Sequence, residues 1–200
     1  MKKIALAGIL LSALAAPAFA SDFYAVGSIG GSHFDVSKGD IDNLLTSSGF
    51  SGFNSSLKQN GFGYKAQLGY QVNKYFAVEG GYVDLGEAKY SVSGPGLGGD
   101  IKLKASGANI AALGIYPIDD TFSVFGKLGV IDAKAKIEGN GVSDSTTKAR
   151  LNFGVGASYA FAKDLSLRAE IEQFNKLGDE NTTGKKINVN LYSVGVAYRF

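Results

Sequence analysis

Hydrophobic and polar residues alternate along much of the chain after residue 20, and the alternation is clearest at the C-terminus. In LYSVGVAYRF (191–200), Tyr192, Val194, Val196, Tyr198 and Phe200 share one face, and small or polar residues occupy the other. A period of two residues is typical of a β-strand whose two faces lie in different environments. The pattern predicts that the last residues belong to a strand.

A repeated segment divides the alternating pattern into hairpins. Three copies, starting at Tyr70, Tyr116 and Tyr159, read aromatic, any residue, apolar, three turn residues, apolar. A new alternating segment follows each turn, and a similar segment opens the chain after residue 20. We therefore predict eight antiparallel strands in hairpin order, four starting near Phe23, Phe76, Phe122 and Leu165 and four ending at Tyr70, Tyr116, Tyr159 and Tyr198.

The predicted connections differ in length between the two ends of the strands. At one end the turns span only residues 73–74, 119–120 and 162–164, whereas at the other end the connections cover about 31–60, 86–102, 134–148 and 175–186. Short turns on one side and long loops on the other are typical of an outer-membrane barrel, with aromatic residues at the interface. The sequence predicts a periplasmic aromatic girdle of Tyr70, Phe76, Tyr116, Phe122, Tyr159, Tyr198 and Phe200.

Alternation alone does not tell which face points outward, because a soluble lipocalin-like barrel also has eight strands. The face opposite the aromatic residues is small at many positions, such as Gly69, Gly154 and Gly195, and it also carries opposed charges. An eight-stranded barrel has an interior about wide enough for its own side chains. We therefore place this face inside an eight-stranded antiparallel up-and-down transmembrane β-barrel, with a lumenal charge network of Lys65, Glu79, Lys127, Arg168, Glu170 and Glu172.

The N-terminus is expected to be a cleaved signal peptide, residues 1–20. Lys2 and Lys3 precede an apolar run, and Ala18-Phe19-Ala20 resembles a cleavage site. Removal of Lys2 and Lys3 would reduce the 20 Lys and Arg residues to 18, equal to the 18 Asp and Glu residues. The barrel domain, 21–200, therefore offers no net charge to attract nucleic acid. The chain has no Cys, and we expect no metal site and no cofactor.

Several stretches resemble the small outer-membrane β-barrel family typified by the OmpA transmembrane domain: 23–27, 69–72, 77–86, 127–130 and the final strand. The resemblance implies a Gram-negative outer membrane, a barrel without enzymatic activity and a lumenal charge cluster that plugs or gates the barrel. OmpA itself carries a peptidoglycan-binding domain after its barrel; no such domain follows here, so we do not expect attachment to the cell wall through one. Tyr198-Arg199-Phe200 resembles the C-terminal signal recognised by the outer-membrane assembly machinery.

We therefore predict a non-catalytic barrel that contributes to envelope structure and contacts outer-membrane lipid and lipopolysaccharide. Its four long extracellular loops are the predicted surface for a host or surface ligand. One alternative is a narrow ion-conducting channel. A less favoured one is a lipid A-modifying enzyme, since Ser32 and His33 lie near the extracellular rim, but neighbours on a strand point to opposite faces. In the first long loop, Asp40 is expected to cap a short helix whose Ile41, Leu44 and Leu45 share a face.

Overall fold

A computed structural model describes residues 22–139, 142–178 and 186–200, so the expected signal peptide and part of the fourth predicted loop lie outside the described residues. The described residues form one helix, α1 (Lys38–Ser47), and nine strands. These strands are β1 (Phe23–Phe34), β2 (Asn54–Lys58), β3 (Asn60–Asn73), β4 (Phe76–Gly94), β5 (Leu97–Pro117), β6 (Phe122–Gly139), β7 (Val142–Ala162), β8 (Leu165–Leu177) and β9 (Ile187–Arg199).

The strands close into an eight-stranded antiparallel barrel. β2 and β3 both pair with β4, so they are two parts of one interrupted barrel strand. The remaining neighbours follow chain order, and β9 returns to pair with β1 from Tyr24–Arg199 to Phe34–Val189. The predicted fold class is confirmed. Because the last strand pairs with the first, every barrel strand has a partner on each side and no edge is left open within the membrane.

The outer face of the barrel is apolar from the short turns up to about the middle of the long strands. Val155, Leu167 and Val194, each more than half exposed, are typical of this face. At the height of these three residues, the inward positions of the same strands are charged, amide-bearing or small, which is the reverse of a soluble barrel. Within the described residues, no helix is long and apolar enough to cross a membrane.

Two of the predicted loops are largely β-structure. β4 continues to Gly94 and β5 resumes at Leu97, while β6 continues to Gly139 and β7 resumes at Val142. The predicted connections at 86–102 and 134–148 are therefore long β-hairpins and not irregular loops. The ion pair between Lys104 on β5 and Glu138 on β6, at 2.8 Å, joins one hairpin to the other.

Above the apolar belt, the apolar side chains of the strands change from the outward to the inward face of the barrel. Along β6, Leu128 and Val130 point outward, but from Ile131 onward the inward residues are apolar and the outward ones, Asp132 and Lys134, are polar. The backbone period of two is unchanged. The reversal marks the height at which the surroundings of the barrel change from lipid to water.

The helix of the first long connection begins one turn earlier than expected. Ser37, not Asp40, is the N-cap, and its hydroxyl oxygen accepts a hydrogen bond from the Asp40 backbone amide. Asp40 lies in the first turn, where a carboxylate favours the helix dipole. Asp42 then fixes the helix to the barrel, because its Oδ1 accepts hydrogen bonds from Ser55 Oγ (2.7 Å) and the Tyr90 hydroxyl (2.6 Å).

Candidate functional site in the barrel lumen

The six charged residues proposed for the lumen all lie inside the barrel and touch one another. Their side chains are at most 5% exposed. They come from four strands: β3 carries Lys65, β4 carries Glu79, β6 carries Lys127, and β8 carries the remaining three, Arg168, Glu170 and Glu172. Each points inward because it has the inward parity of its strand.

Lys127 is the centre of this charge layer. Its Nζ lies 3.0 Å from Glu79 Oε2, 2.9 Å from Glu170 Oε2 and 3.3 Å from Glu172 Oε1. Lys65 Nζ contacts two of the same carboxylates, that of Glu170 at 2.9 Å and that of Glu172. One ammonium therefore bridges all three acids, and the layer contains as many positive as negative groups.

Arg168 closes the network on the periplasmic side. Its guanidinium is paired with Glu79 and lies 3.3 Å from Glu170 Oε1. The Tyr24 hydroxyl donates a further hydrogen bond to Glu79, at 2.8 Å. The guanidinium carbon lies 4.5 Å from the centre of the Phe125 ring, within the range of a cation–π contact. Glu79 thus has cationic partners from two strands and a neutral donor from a third.

Two apolar clusters enclose the charge layer. The lower cluster is built on Tyr24, Val26, Ala77, Ala111, Leu113 and Phe125. The upper cluster is larger and includes Phe34, Leu85, Ile131, Phe174 and Leu191, all fully buried. Between the charges and the upper cluster, the Asn109 side-chain amide donates to Asn152 Oδ1 at 2.8 Å. The ion pairs are therefore held in a region of low dielectric, where they are strong but costly to break.

The upper cluster was not predicted from the sequence. Its residues were assigned to strand ends or loops, and the lumen was expected to be small and polar throughout. The signal that could have found it is the parity reversal at Val83-Asp84-Leu85 and Ile131-Asp132-Ala133. There the apolar residues move to the inward positions.

The residues proposed for the aromatic girdle lie beside the short turns. Tyr70, Phe76, Tyr116, Tyr159 and Tyr198 are exposed, whereas Phe122 and Phe200 are half-buried. The rings of Tyr198 and Phe200 meet edge to face, with centroids 5.5 Å apart. Phe23 was not among the predicted girdle residues, yet its ring centroid lies 4.9 Å from that of Tyr70.

The turns beside these rings are fixed by side chains. Asn73 Oδ1 accepts hydrogen bonds from the amides of Tyr75 and Phe76. Asp119 Oδ1 does the same for Thr121 and Phe122, both at 2.7 Å. These bonds hold the pKa of Asp119 below its usual value, because they stabilise the carboxylate. The repeated turn residues therefore have a structural reason.

Ser32 and His33 do not contact each other through their side chains. Ser32 is buried and its hydroxyl donates to the Leu85 backbone carbonyl. His33 lies on the opposite face, with Nδ1 2.8 Å from Asn60 Oδ1. A nucleophilic serine needs its base within hydrogen-bond reach, and this pair does not meet that requirement.

The barrel closure, the inward charges and the outward apolar belt agree with a family model described as the OmpA-like transmembrane domain, which matches residues 18–200. The chain belongs to this family. Outer membrane protein A of Klebsiella pneumoniae is 30% identical over 184 residues, covering 89% of this chain and 51% of that protein. The Yersinia pseudotuberculosis protein is 32% identical over 206 residues, covering 98% and 53%. This OmpA-like chain spans about half the length of these relatives, and it is an outer-membrane protein.

Solved barrels share the fold of this OmpA-like chain. Neisserial surface protein A superposes with a TM-score of 0.60 at 17% identity, covering 92% of this chain and all of that one. Ail of Yersinia pestis gives 0.51 at 20% identity, covering 90% and 99%. OprG of Pseudomonas aeruginosa gives 0.53 at 15% identity, covering 90% and 96%. At these identities the likeness concerns the fold alone.

Proposed function

We propose that the protein is a non-catalytic structural barrel of the outer membrane, closed to solutes along its axis. What supports this proposal is the arrangement of the lumen: a charge-balanced layer of six buried groups lies between two apolar clusters. A hydrated path would have to separate the ion pairs and also wet both clusters. Aqueous channels are found in barrels of about 16 strands, whereas about eight leave room only for side chains.

Interaction with partners at the cell surface is the second part of the proposal. The long hairpins and α1 extend beyond the apolar belt, and no residue of α1 is buried. Leu44 of this helix is 69% exposed. These parts are free to meet outer-leaflet lipopolysaccharide or a surface ligand without disturbing the barrel.

The charge layer favours one second candidate, a narrow ion path. Lys127 lies within 3.3 Å of three carboxylates, so small displacements of this ammonium would exchange its partners. A path of this kind would conduct only while the network is rearranged. It would give short, small current steps rather than a steady open state.

Planar-bilayer recording of the purified protein tests both candidates. We expect no passage of sugars and at most small, intermittent ion currents. Arg168→Ala should increase the frequency of these currents, because it leaves Glu79 with less positive charge. Adding Glu79→Ala should partly reverse the increase, and Lys134→Ala, an exposed site on β6, should change nothing. A large, steady wild-type conductance with sugar permeation would refute the closed barrel.

A further inference from the structure

An apolar cavity of about 420 Å³ lies beneath α1, at the extracellular end of the barrel. Its roof is the face of α1 that carries Ile41, Leu44 and Leu45, and its wall includes Leu103 on β5 and Ile137 on β6. The floor joins the upper apolar cluster through residues that both share, such as Ala88, Ala105, Leu177 and Ile187. This volume falls within the range of about 300–1,000 Å³ that is usual for small-molecule sites.

The helix α1, which forms the roof of the cavity, is attached to the barrel by polar contacts, but its apolar face is not fully buried. Asp42 ties α1 to Ser55 and Tyr90 by hydrogen bonds, and Lys38 pairs with the same carboxylate one turn earlier. Yet Leu44 is 69% exposed although it lines the cavity. The apolar face of α1 is therefore fixed above the apolar cavity while Leu44 remains exposed. A ligand in the cavity could bury this hydrocarbon surface.

We propose that this cavity binds one unbranched aliphatic chain of an uncharged amphiphile taken from the external medium. The wall is aliphatic, with Tyr90 among the few polar side chains that line it, so a flexible hydrocarbon fits it better than a planar aromatic ring. The Asp42 carboxylate of α1 is already paired with Lys38 and accepts hydrogen bonds from Ser55 and Tyr90, so it offers no uncompensated charge to a charged head group. The geometry therefore points to a neutral polar end at the rim and the chain inside.

The outward face of the cavity wall indicates that the chain enters from water and not from the lipid leaflet. At this height β4, β5 and β6 carry ion pairs on the outside, including Lys89–Asp100 at 2.7 Å and Lys104–Glu138 at 2.8 Å. A lipid tail would have to cross this charged rim to reach the cavity. Leu44 lines the cavity and is exposed to water, so the chain can enter beside this residue. The proposal does not depend on whether the lumen conducts ions.

A single tryptophan on the roof provides a direct test, because the chain contains no Trp. The Leu44→Trp variant, reconstituted in phospholipid nanodiscs, is titrated with a terminally brominated decanol, whose bromine quenches indole on contact. We expect saturable loss of most of the emission, and recovery when unbrominated decanol is added. Val155→Trp, on the lipid-facing side, reports simple partitioning into the bilayer, which does not saturate in the same range.

Blocking variants identify the cavity as the site. Ala135→Phe extends a ring from the wall into the cavity. Leu45→Asp places a carboxylate on the cavity face of α1 and changes no residue of the barrel strands. Either change should abolish the saturable quenching of Leu44→Trp. Ala108→Phe, an exposed position on the outside of β5, should leave it intact. The proposal would be overturned if saturable quenching persisted in both blocking variants. It would also be overturned if the variant that carries only Leu44→Trp showed no saturable quenching. Quenching by nanodiscs made of acyl-brominated phospholipid, with no alcohol added, would overturn the external source.

Discussion

Removing the ammonium of Lys127 should be the most damaging single change in the lumen. Its Nζ contacts three carboxylates within 3.3 Å, whereas Lys65 contacts two. At about 3 Å and an effective dielectric constant of about 20, each contact corresponds to roughly 5 kcal/mol of Coulomb attraction before desolvation is subtracted. Lys127→Met keeps much of the side-chain volume but leaves three acids facing two bases.

The net effect is smaller than the sum of the contacts, because burying the ammonium itself is costly. Breaking a buried ion pair by removing one partner costs about 3–5 kcal/mol, and we expect Lys127→Met to lower the free energy of unfolding by about that amount. Adding Glu172→Gln restores equal numbers of charges and should recover part of the loss. Lys134→Met removes an exposed lysine of the same strand and should have no measurable effect.

Urea unfolding in lipid vesicles measures these differences. Since the chain has no Trp, far-UV circular dichroism and the heat-dependent gel shift of the folded barrel are suitable signals. If Lys127→Met matches the stability of Lys134→Met, the charge layer does not stabilise the barrel. If the double variant is less stable than Lys127→Met, charge balance is not the reason for the loss.

Three further predictions concern the lipid-facing surface, assembly and the helix. Leu167→Arg places a charge on the outward belt and should cost about 2–4 kcal/mol if the site lies near the bilayer midplane; unchanged urea stability would contradict the assignment of the faces. Replacing Tyr198 and Phe200 with Ser should block insertion while export continues, and normal amounts of folded barrel in outer-membrane fractions would contradict it. Hydrogen bonds from Lys38, Tyr90 and Ser55 lower the pKa of Asp42 to about 2 from 3.8. The attachment of α1 should therefore be complete above about pH 4 and be lost as the pH falls towards 2, seen as increased mobility of a spin label at Asn43→Cys; unchanged mobility would argue against this anchor.

The membrane-spanning strands, their order and the orientation of their faces within the membrane could be predicted from local sequence patterns. Alternation is a local property of an extended backbone, and lipid requires that one parity be apolar over the whole height of the bilayer. The repeated turns at Asn73 and Asp119 mark the ends of hairpins, because these side chains bind the amides that follow them. For these reasons the eight-stranded barrel and the six inward charges could be predicted without coordinates.

The pairing of those charges could not be predicted from the sequence, because it depends on how distant strands align in the closed barrel. Glu79 and Arg168 are 89 residues apart in the chain, and the stagger of a closed barrel sets which positions of distant strands share a height. Counted from the short turns, Lys127 lies at a different level from Glu79 and Glu172, yet it contacts both. The upper apolar cluster and the cavity under α1 depend on the same long-range closure. They form because inward residues of distant strands meet above the membrane, where water outside the wall makes an apolar interior favourable.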